Sequence, residues 1–310
     1  MGEACWGGPG PVRIAQISPL FESVPPRLYG GTERVVSYLT EELVRLGHEV
    51  TLFASGDSRT GARLVACSER ALRLGGAAHP WAHHIAQLEW VAGRAGEFDV
   101  VHFHTDSLHF PLVRRLGVPH VTTLHGRLDA PDLAPLYREF AELPMVSISD
   151  SQRGPLPWVN WAATVYHGLP AGAFPFRARP EPYLAVVGRV SPEKRVDDAI
   201  RIARAVGVEV RIAAKVDEAD RGDFEGVIRP MLREPGVVFL GEQGEREKAE
   251  LLAGALALLF PVDWPEPFGL VMIEAMACGT PVVARRRGSV PEVVDEGVTG
   301  AVFDLRDAPA

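Results

Sequence analysis

Residues 12–54 read VRIAQISPLFESVPPRLYGGTERVVSYLTEELVRLGHEVTLFA. Residues 12–17 are a short apolar run of the kind buried in a parallel sheet. Residues 18–31 are rich in Pro and Gly and read as a loop. Thr32 is placed as an N-cap, with Glu33 in the first turn. Val35, Val36, Leu39, Leu43 and Leu46 then form a helical stripe. Gly47 stops that helix, and residues 50–54 are the next strand. Strand, helix and strand in this order make a βαβ unit.

The alternation continues downstream. Helical spacing appears near 81–95 and 108–116, and strands at 100–103, 120–124 and 145–148. Between 167 and 182 lie Gly168, Pro170, Gly172, Pro175, Pro180 and Pro182, a density of breakers that marks a linker. The pattern then restarts, with a strand at 183–187 and a helix at 193–205 that opens after Ser191-Pro192. Strands follow at 210–214, 237–240 and 257–260. A helix at 268–277 is stopped by Gly279, and a strand follows at 281–284. The expected layout is an extension at 1–11, a first domain at 12–166, a linker at 167–182 and a second domain at 183–310. Each domain is expected to be a parallel sheet wrapped by helices. Two such domains leave a cleft, and open α/β sheets take ligands beyond the carboxyl ends of their strands.

Composition agrees with that layout. A chain of 310 residues suggests about two domains. The formal net charge of -8 argues against nucleic acid as a partner, because phosphate backbones call for a basic face. Cys5, Cys67 and Cys278 are far apart and form no C-x-x-C pair, so neither a disulfide framework nor a zinc site is indicated. A reducing compartment fits best. The start of the chain lacks a basic stretch followed by an apolar run, and the longest apolar stretch, around 255–262, is too short to span a bilayer. The expected location is the cytoplasm. Association with a membrane surface stays open, and oligomeric state is not legible.

The segment with most chemistry is 265–284, PEPFGLVMIEAMACGTPVVA. A strand ends just before it, and a helix starts near Phe268. Backbone N–H groups at a helix N-terminus bind anions, and Gly269 lets a phosphate come close, so Phe268, Gly269 and Leu270 are donor-binding candidates. Glu266 precedes the helix and Glu274 lies about two turns into it. A carboxylate accepts from two neighbouring hydroxyls and so matches a ribose or a sugar ring. The bland alternative for each is a solvated glutamate favoured by the helix dipole.

A second cluster, residues 187–195, reads VGRVSPEKR. Arg189 and Lys194 flank a strand-to-helix turn, where a guanidinium fork and a point charge together reach a pyrophosphate. Gly30 and Gly31 form a loop before a helix that a ligand can approach closely. No G-x-G-x-x-G is present, which argues against a dinucleotide dehydrogenase. His102 and His104 share one face of a strand, and no further metal ligands accompany them. His125 ends the next strand, and Glu33, Ser149, Ser151 and Arg153 are candidates to line the same cleft.

Glu266 and Glu274, separated by seven residues within EPFGL and ahead of ACGTPVVA, resemble the E-x7-E signature of family-4 retaining glycosyltransferases of the GT-B fold. GSVPEVV at 288–294 and GVTG at 297–300 are similar to the same family. The resemblance spans residues 12 to about 304. It implies a GT-B architecture, two Rossmann-like domains facing across a cleft. It further implies that Arg189 and Lys194 grip the donor phosphates, that the Gly30-Gly31 loop faces the pyrophosphate, and that His104 sits beside the donor sugar. With that resemblance, His125, Glu33 and Ser149 fall on the acceptor side. Arg195 stands where many members have Gly. Residues 23–33 resemble a bacterial branch labelled as transferring glucose from UDP-glucose to tetrahydrobiopterin.

The expected activity is retaining transfer of a hexosyl group from a nucleotide-diphosphate sugar, UDP- or GDP-linked, to an acceptor hydroxyl. The acceptor is a small molecule, a glycan or a lipid-linked sugar. Arg189, Lys194, Glu266 and His104 are the catalytic candidates, and no cofactor or obligatory metal is expected. An inactive sugar-nucleotide-binding protein and a nucleotide-sugar 2-epimerase are the alternatives. Family members commonly continue with a helix that crosses back to the first domain, and this chain ends at Ala310 before it.

Overall fold

The computed structural model describes residues 10–304. The extension expected at 1–11 therefore lies outside the described residues up to residue 9, as does the chain after Asp304. Two parallel sheets form. The first contains β1 (Arg13–Ile17), β2 (Glu49–Ser55), β3 (Arg63–Ser68), β4 (Val100–Phe103), β5 (His120–Thr123), β6 (Met145–Ser147) and β7 (Trp161–Thr164), in the order β3-β2-β1-β4-β5-β6-β7. The second contains β8 (Tyr183–Val190), β9 (Glu209–Val216), β10 (Val237–Gly241), β11 (Ala257–Phe260), β12 (Val282–Arg285) and β13 (Gly300–Phe303), in the order β10-β9-β8-β11-β12-β13. This is the GT-B type of architecture expected from the sequence.

The central strands are apolar because helices cover both faces of each sheet. In the second sheet, Leu258, Phe260, Val282 and Ala284 face one buried cluster, while Val186, Ile212, Leu259 and Ile200 belong to another on the far side. Strand order reverses between β1 and β4 in the first sheet and between β8 and β11 in the second. Loops leaving the carboxyl ends at such a switch point splay apart and open a crevice. The loops after β1 and β8 carry Gly30-Gly31 and Lys194, and the loop after β11 carries Glu266.

Three details differ from the sequence reading. The first helix runs Gly31–Arg45, with Gly30 at the N-cap and no side-chain cap. Thr32 is thus inside the helix rather than its cap, and the first-turn amides keep no protein hydroxyl of their own. The expected helix at 193–205 is split into a 3-10 turn, Pro192–Lys194, and a helix, Val196–Val206. Between them Arg195 is left-handed, with φ 53°. Its guanidinium reaches Asp197 at 3.1 Å and Asp198 at 2.8 Å, which helps hold a conformation that side chains disfavour. Third, β3, β7 and β13 form at sheet edges where the sequence pattern indicates no strand.

The two halves touch through polar contacts. Arg34 of the first reaches Glu245 of the second at 3.1 Å, and Tyr38 donates to the same carboxylate at 3.0 Å. Arg73 pairs with Glu242 at 3.0 Å. Glu292 accepts from the amides of Asp150 and Ser151 at 2.7 Å each, so it caps the short helix Asp150–Arg153 of the other half.

Candidate active site

A cavity of about 890 Å³ lies between the two sheets, within the roughly 300–1,000 Å³ typical of small-molecule sites. Its second-sheet wall carries Arg189, Lys194, Lys215, Lys248, Trp264, Glu266, Phe268, Gly269, Leu270 and Glu274. Its first-sheet wall carries Glu22, Tyr29, Gly30, Gly31, Glu33, Arg73, His125 and Arg127.

Two helix N-termini meet across it. Gly269 precedes the helix Leu270–Ala277 in a left-handed conformation, φ 79°, and a Cβ there would lie 2.7 Å from the Met272 side chain. Only glycine fits that turn without strain. A Cβ at Gly31 would lie 3.8 Å from the Leu270 side chain, so the glycine loop of the first sheet comes close to the second helix. Uncapped amides at both ends make an anion site.

Every cation on the second wall is tied to a carboxylate. Lys194 Nζ donates to Glu266 Oε2 at 2.5 Å, and Trp264 Nε1 donates to the same oxygen at 2.6 Å. Arg189 lies 2.7 Å from Glu193, 3.5 Å from Asp220 and 3.8 Å from Asp217. Lys248 donates to Glu274 Oε1 at 2.6 Å and lies 3.1 Å from Glu245. Lys215 pairs with Asp217 at 2.7 Å. Glu274 is 2% exposed, and burial pushes its carboxyl up despite Lys248. The Glu266 backbone is fixed from behind. A Cβ on Gly288 would sit 2.3 Å from the Glu266 amide nitrogen and carbonyl oxygen. Ser289 N donates to Glu266 O at 2.9 Å, and Ser289 Oγ to Phe268 O at 2.9 Å. The GSVPE stretch is thus the backing of the Glu266 loop.

The first wall combines ion-paired groups with carboxyl and imidazole groups whose charged forms burial disfavours. Glu33 is 5% exposed, and burial raises its carboxyl to about 7, with Glu22 adding repulsion. Glu22 itself is buried and ion-paired with Arg73. His104 Nε2 lies 2.8 Å from Gln16 Oε1, and His104 Nδ1 lies 2.9 Å from His125 Nε2. One tautomer set satisfies both contacts: His104 donates to Gln16 and accepts from His125. Burial holds both rings well below their ordinary pKa, and His167 and His102 at about 4. His167 stacks on His125, with ring centroids 5.4 Å apart, and packs edge-on against Phe268 at 4.8 Å.

Most residues singled out from the sequence line the cavity: Gly30, Gly31, Glu33, His125, Arg189, Lys194, Glu266, Phe268, Gly269, Leu270 and Glu274. Two do not. His104 is 1% exposed and lies behind His125, whose Nε2 is 2.9 Å from its Nδ1. Ser149 is fully buried, and its hydroxyl caps the Asp150–Arg153 helix by accepting from Gln152 N at 3.0 Å. Arg153 turns away to Thr164 at 3.1 Å. Trp264, Lys248 and Arg127 were missed. Trp264 carried a signal, being two residues before Glu266. Nothing in the sequence joins Lys248 or Arg127 to the site. Among the described residues, no group of three or more His, Cys, Asp or Glu is placed to hold a metal. No helix among them is long and apolar enough to cross a membrane.

Fold and cavity define a two-domain GT-B architecture with a cleft between its parallel sheets. Residues 29–163 match the sequence model of Glycosyltransferase Family 4, and residues 174–310 match that of glycosyl transferases group 1. Among curated relatives, the D-inositol 3-phosphate glycosyltransferase of Mycobacterium tuberculosis is 36% identical over 127 residues, 39% of this chain. The match spans 26% of that relative's length. Among solved structures, sucrose-phosphate synthase from Thermosynechococcus elongatus superposes with a TM-score of 0.78 at 20% identity, covering 96% of this chain and 86% of that one. Anabaena HepE in complex with UDP-glucose superposes with a TM-score of 0.67 at 20% identity, covering 94% and 85%.

Proposed function

We propose that this protein is a retaining family-4 glycosyltransferase that moves a hexosyl group from a UDP- or GDP-linked sugar to an acceptor hydroxyl. The observation that carries this reading is the second wall. There an uncapped helix N-terminus, Lys194 and Arg189 surround one cavity with both glutamates of the E-x7-E pair. The diphosphate would lie against the Phe268–Leu270 amides and the two cations. Preorganised charge aimed at a leaving group is the main source of rate acceleration in such catalysis. Glu274 would take the ribose hydroxyls and Glu266 the transferred sugar. The acceptor enters along Glu33 and His125, and its proton passes to the leaving phosphate. The relative's name supports glycosyl transfer, and the UDP-glucose complex of the structural neighbour supports a nucleotide-sugar donor. The resemblance at residues 23–33 supports a small-molecule acceptor such as a pterin. Transfer proceeds without an obligatory metal, so turnover should persist in EDTA.

One observation favours a different stereochemistry. Glu33, raised to about 7, has the proton affinity of a general base. A thermal-shift screen of UDP-, GDP-, ADP- and dTDP-sugars, followed by the anomeric configuration of the product, decides both points. Retained configuration supports the reading. Inverted configuration replaces it with base catalysis by Glu33. No stabilisation by any nucleotide sugar overturns the transferase reading.

A further inference from the structure

We propose that Trp264 is a positioning residue that keeps Glu266 oriented when Lys194 leaves it for the donor phosphates. The inference rests on the transferase reading above. Lys194 and Trp264 both donate to Glu266 Oε2, at 2.5 and 2.6 Å, so Oε1 is the oxygen left for a sugar hydroxyl. The two donors differ in what a pyrophosphate does to them. An ammonium on a flexible stem is drawn toward a dianionic group. An indole N–H is neutral, stiff and unable to follow it.

Glu266 is 8% exposed, and a buried carboxylate deprived of its cation needs another donor. The indole supplies it in place. It lies only two residues from Glu266, on the same loop that Gly288 and Ser289 fix from behind.

The ring does more than hold one proton. Lys194 Nζ sits 4.4 Å from its centroid, so the ring also guides the ammonium between carboxylate and phosphate. Arg127, from the other sheet, lies 5.0 Å from the same centroid. The ring is therefore where the first half of the molecule touches the Lys194–Glu266 pair.

The test is a double-mutant cycle in the full chain, with UDP titrated by calorimetry (GDP and ADP as alternates) and turnover measured with the matching sugar nucleotide. Trp264→Phe keeps the ring and loses the N–H. It should lower kcat about tenfold, the size of one charged hydrogen bond, and leave the UDP dissociation constant within twofold. Trp264→His restores a ring N–H and should recover part of the loss. In Glu266→Ala the same Trp264→Phe change should cost less than twofold, because the accepting oxygen is gone. Losses that multiply in the double variant, or UDP affinity falling in step with kcat, overturn the role. If wild type neither binds a nucleoside diphosphate nor turns over a sugar nucleotide, the transferase reading falls and this role with it. If wild type works and the losses multiply, only this role falls.

Discussion

The two walls of the cavity are made differently. On the second-sheet wall each cation is already paired: Lys194 with Glu266, Lys248 with Glu274, Lys215 with Asp217, and Arg189 among Glu193, Asp217 and Asp220. On the first-sheet wall His125 is held unprotonated, with His104 behind it, and Glu33 is raised to about 7, beside the Glu22–Arg73 ion pair. A wall of paired charges can exchange partners when a dianion arrives, and the carboxylates left behind are those that face hydroxyls. Groups such as Glu33 and His125, whose charged forms burial disfavours, offer hydrogen bonds to an uncharged hydroxyl. In the proposed reading the wall of exchangeable pairs serves the donor, and the wall with Glu33 and His125 serves the acceptor.

The largest expected effect breaks the charged wall. Lys194→Ala removes the phosphate cation and leaves Glu266 with Trp264 alone. Turnover should fall by about 10²–10³, as when one preorganised donor is deleted from an oxyanion site. Nucleoside diphosphate affinity should fall by roughly 10- to 150-fold. Arg189→Ala should cost less, because three carboxylates already share its charge. Equal losses in the two variants would show that pairing in the free protein does not grade these cations.

The next effect breaks the first-sheet wall and is read in stability. The Glu33 carboxyl is raised from 4.5 to about 7, so the folded state holds its proton more tightly than the unfolded state does. The sign follows: stability is greatest below about 4.5 and declines as pH rises to about 7, by up to roughly 3 kcal/mol. Glu33→Gln has no charge to bury. Its melting temperature relative to wild type should therefore rise between pH 4 and pH 8. A difference that is flat across that range would mean Glu33 is ionised in the fold at little cost.

A third measurement sharpens the contrast within the charged wall. Glu274→Gln should weaken both sugar nucleotide and bare nucleoside diphosphate by about 1.5–3 kcal/mol. Glu266→Gln should spare nucleoside diphosphate binding and lower kcat, as a contact made mainly in the transition state does. The reverse pattern would exchange the two assignments.

How much of this was legible in the sequence follows from burial. β1, β2, β4, β5, β8, β9 and β11 are covered on both faces and read as apolar runs. The strands that escaped, β3, β7 and β13, are all at sheet edges. Ala162 and Ala163 of β7 and Ala301 of β13 are exposed, so no apolar run had to be kept there. The site was legible where one loop carries several groups, as around Glu266 and around Lys194. It was not legible where distant segments converge. Lys248 meets Glu274 from another helix, and Arg127 meets Trp264 from the other sheet. Depth was also hidden. The strand period puts His102 and His104 on one face, and their rings do lie 4.1 Å apart, but it does not say that His125 would cover them.

The smallest expected effect concerns Arg195, beside Lys194 but outside the cavity. Its left-handed backbone is one that L side chains adopt at a cost of about 1–2 kcal/mol and that Gly adopts freely. Arg195→Gly relieves that strain. It also removes ion pairs to Asp197 and Asp198, in which the arginine side chain is 32% exposed. Pairs at that exposure contribute roughly 0–1 kcal/mol. Glycine adds freedom to the unfolded chain, which offsets part of the gain by about 0.4–1 kcal/mol. The three contributions nearly cancel, so stability should change by less than about 1 kcal/mol in urea titration. If the ion pairs merely accommodate the turn, Lys194 keeps its place and nucleoside diphosphate affinity stays within twofold. If they set the turn, the glycine variant loosens it, and affinity falls while stability holds. That second outcome would place Arg195, through its aspartates, among the groups that organise the charged wall.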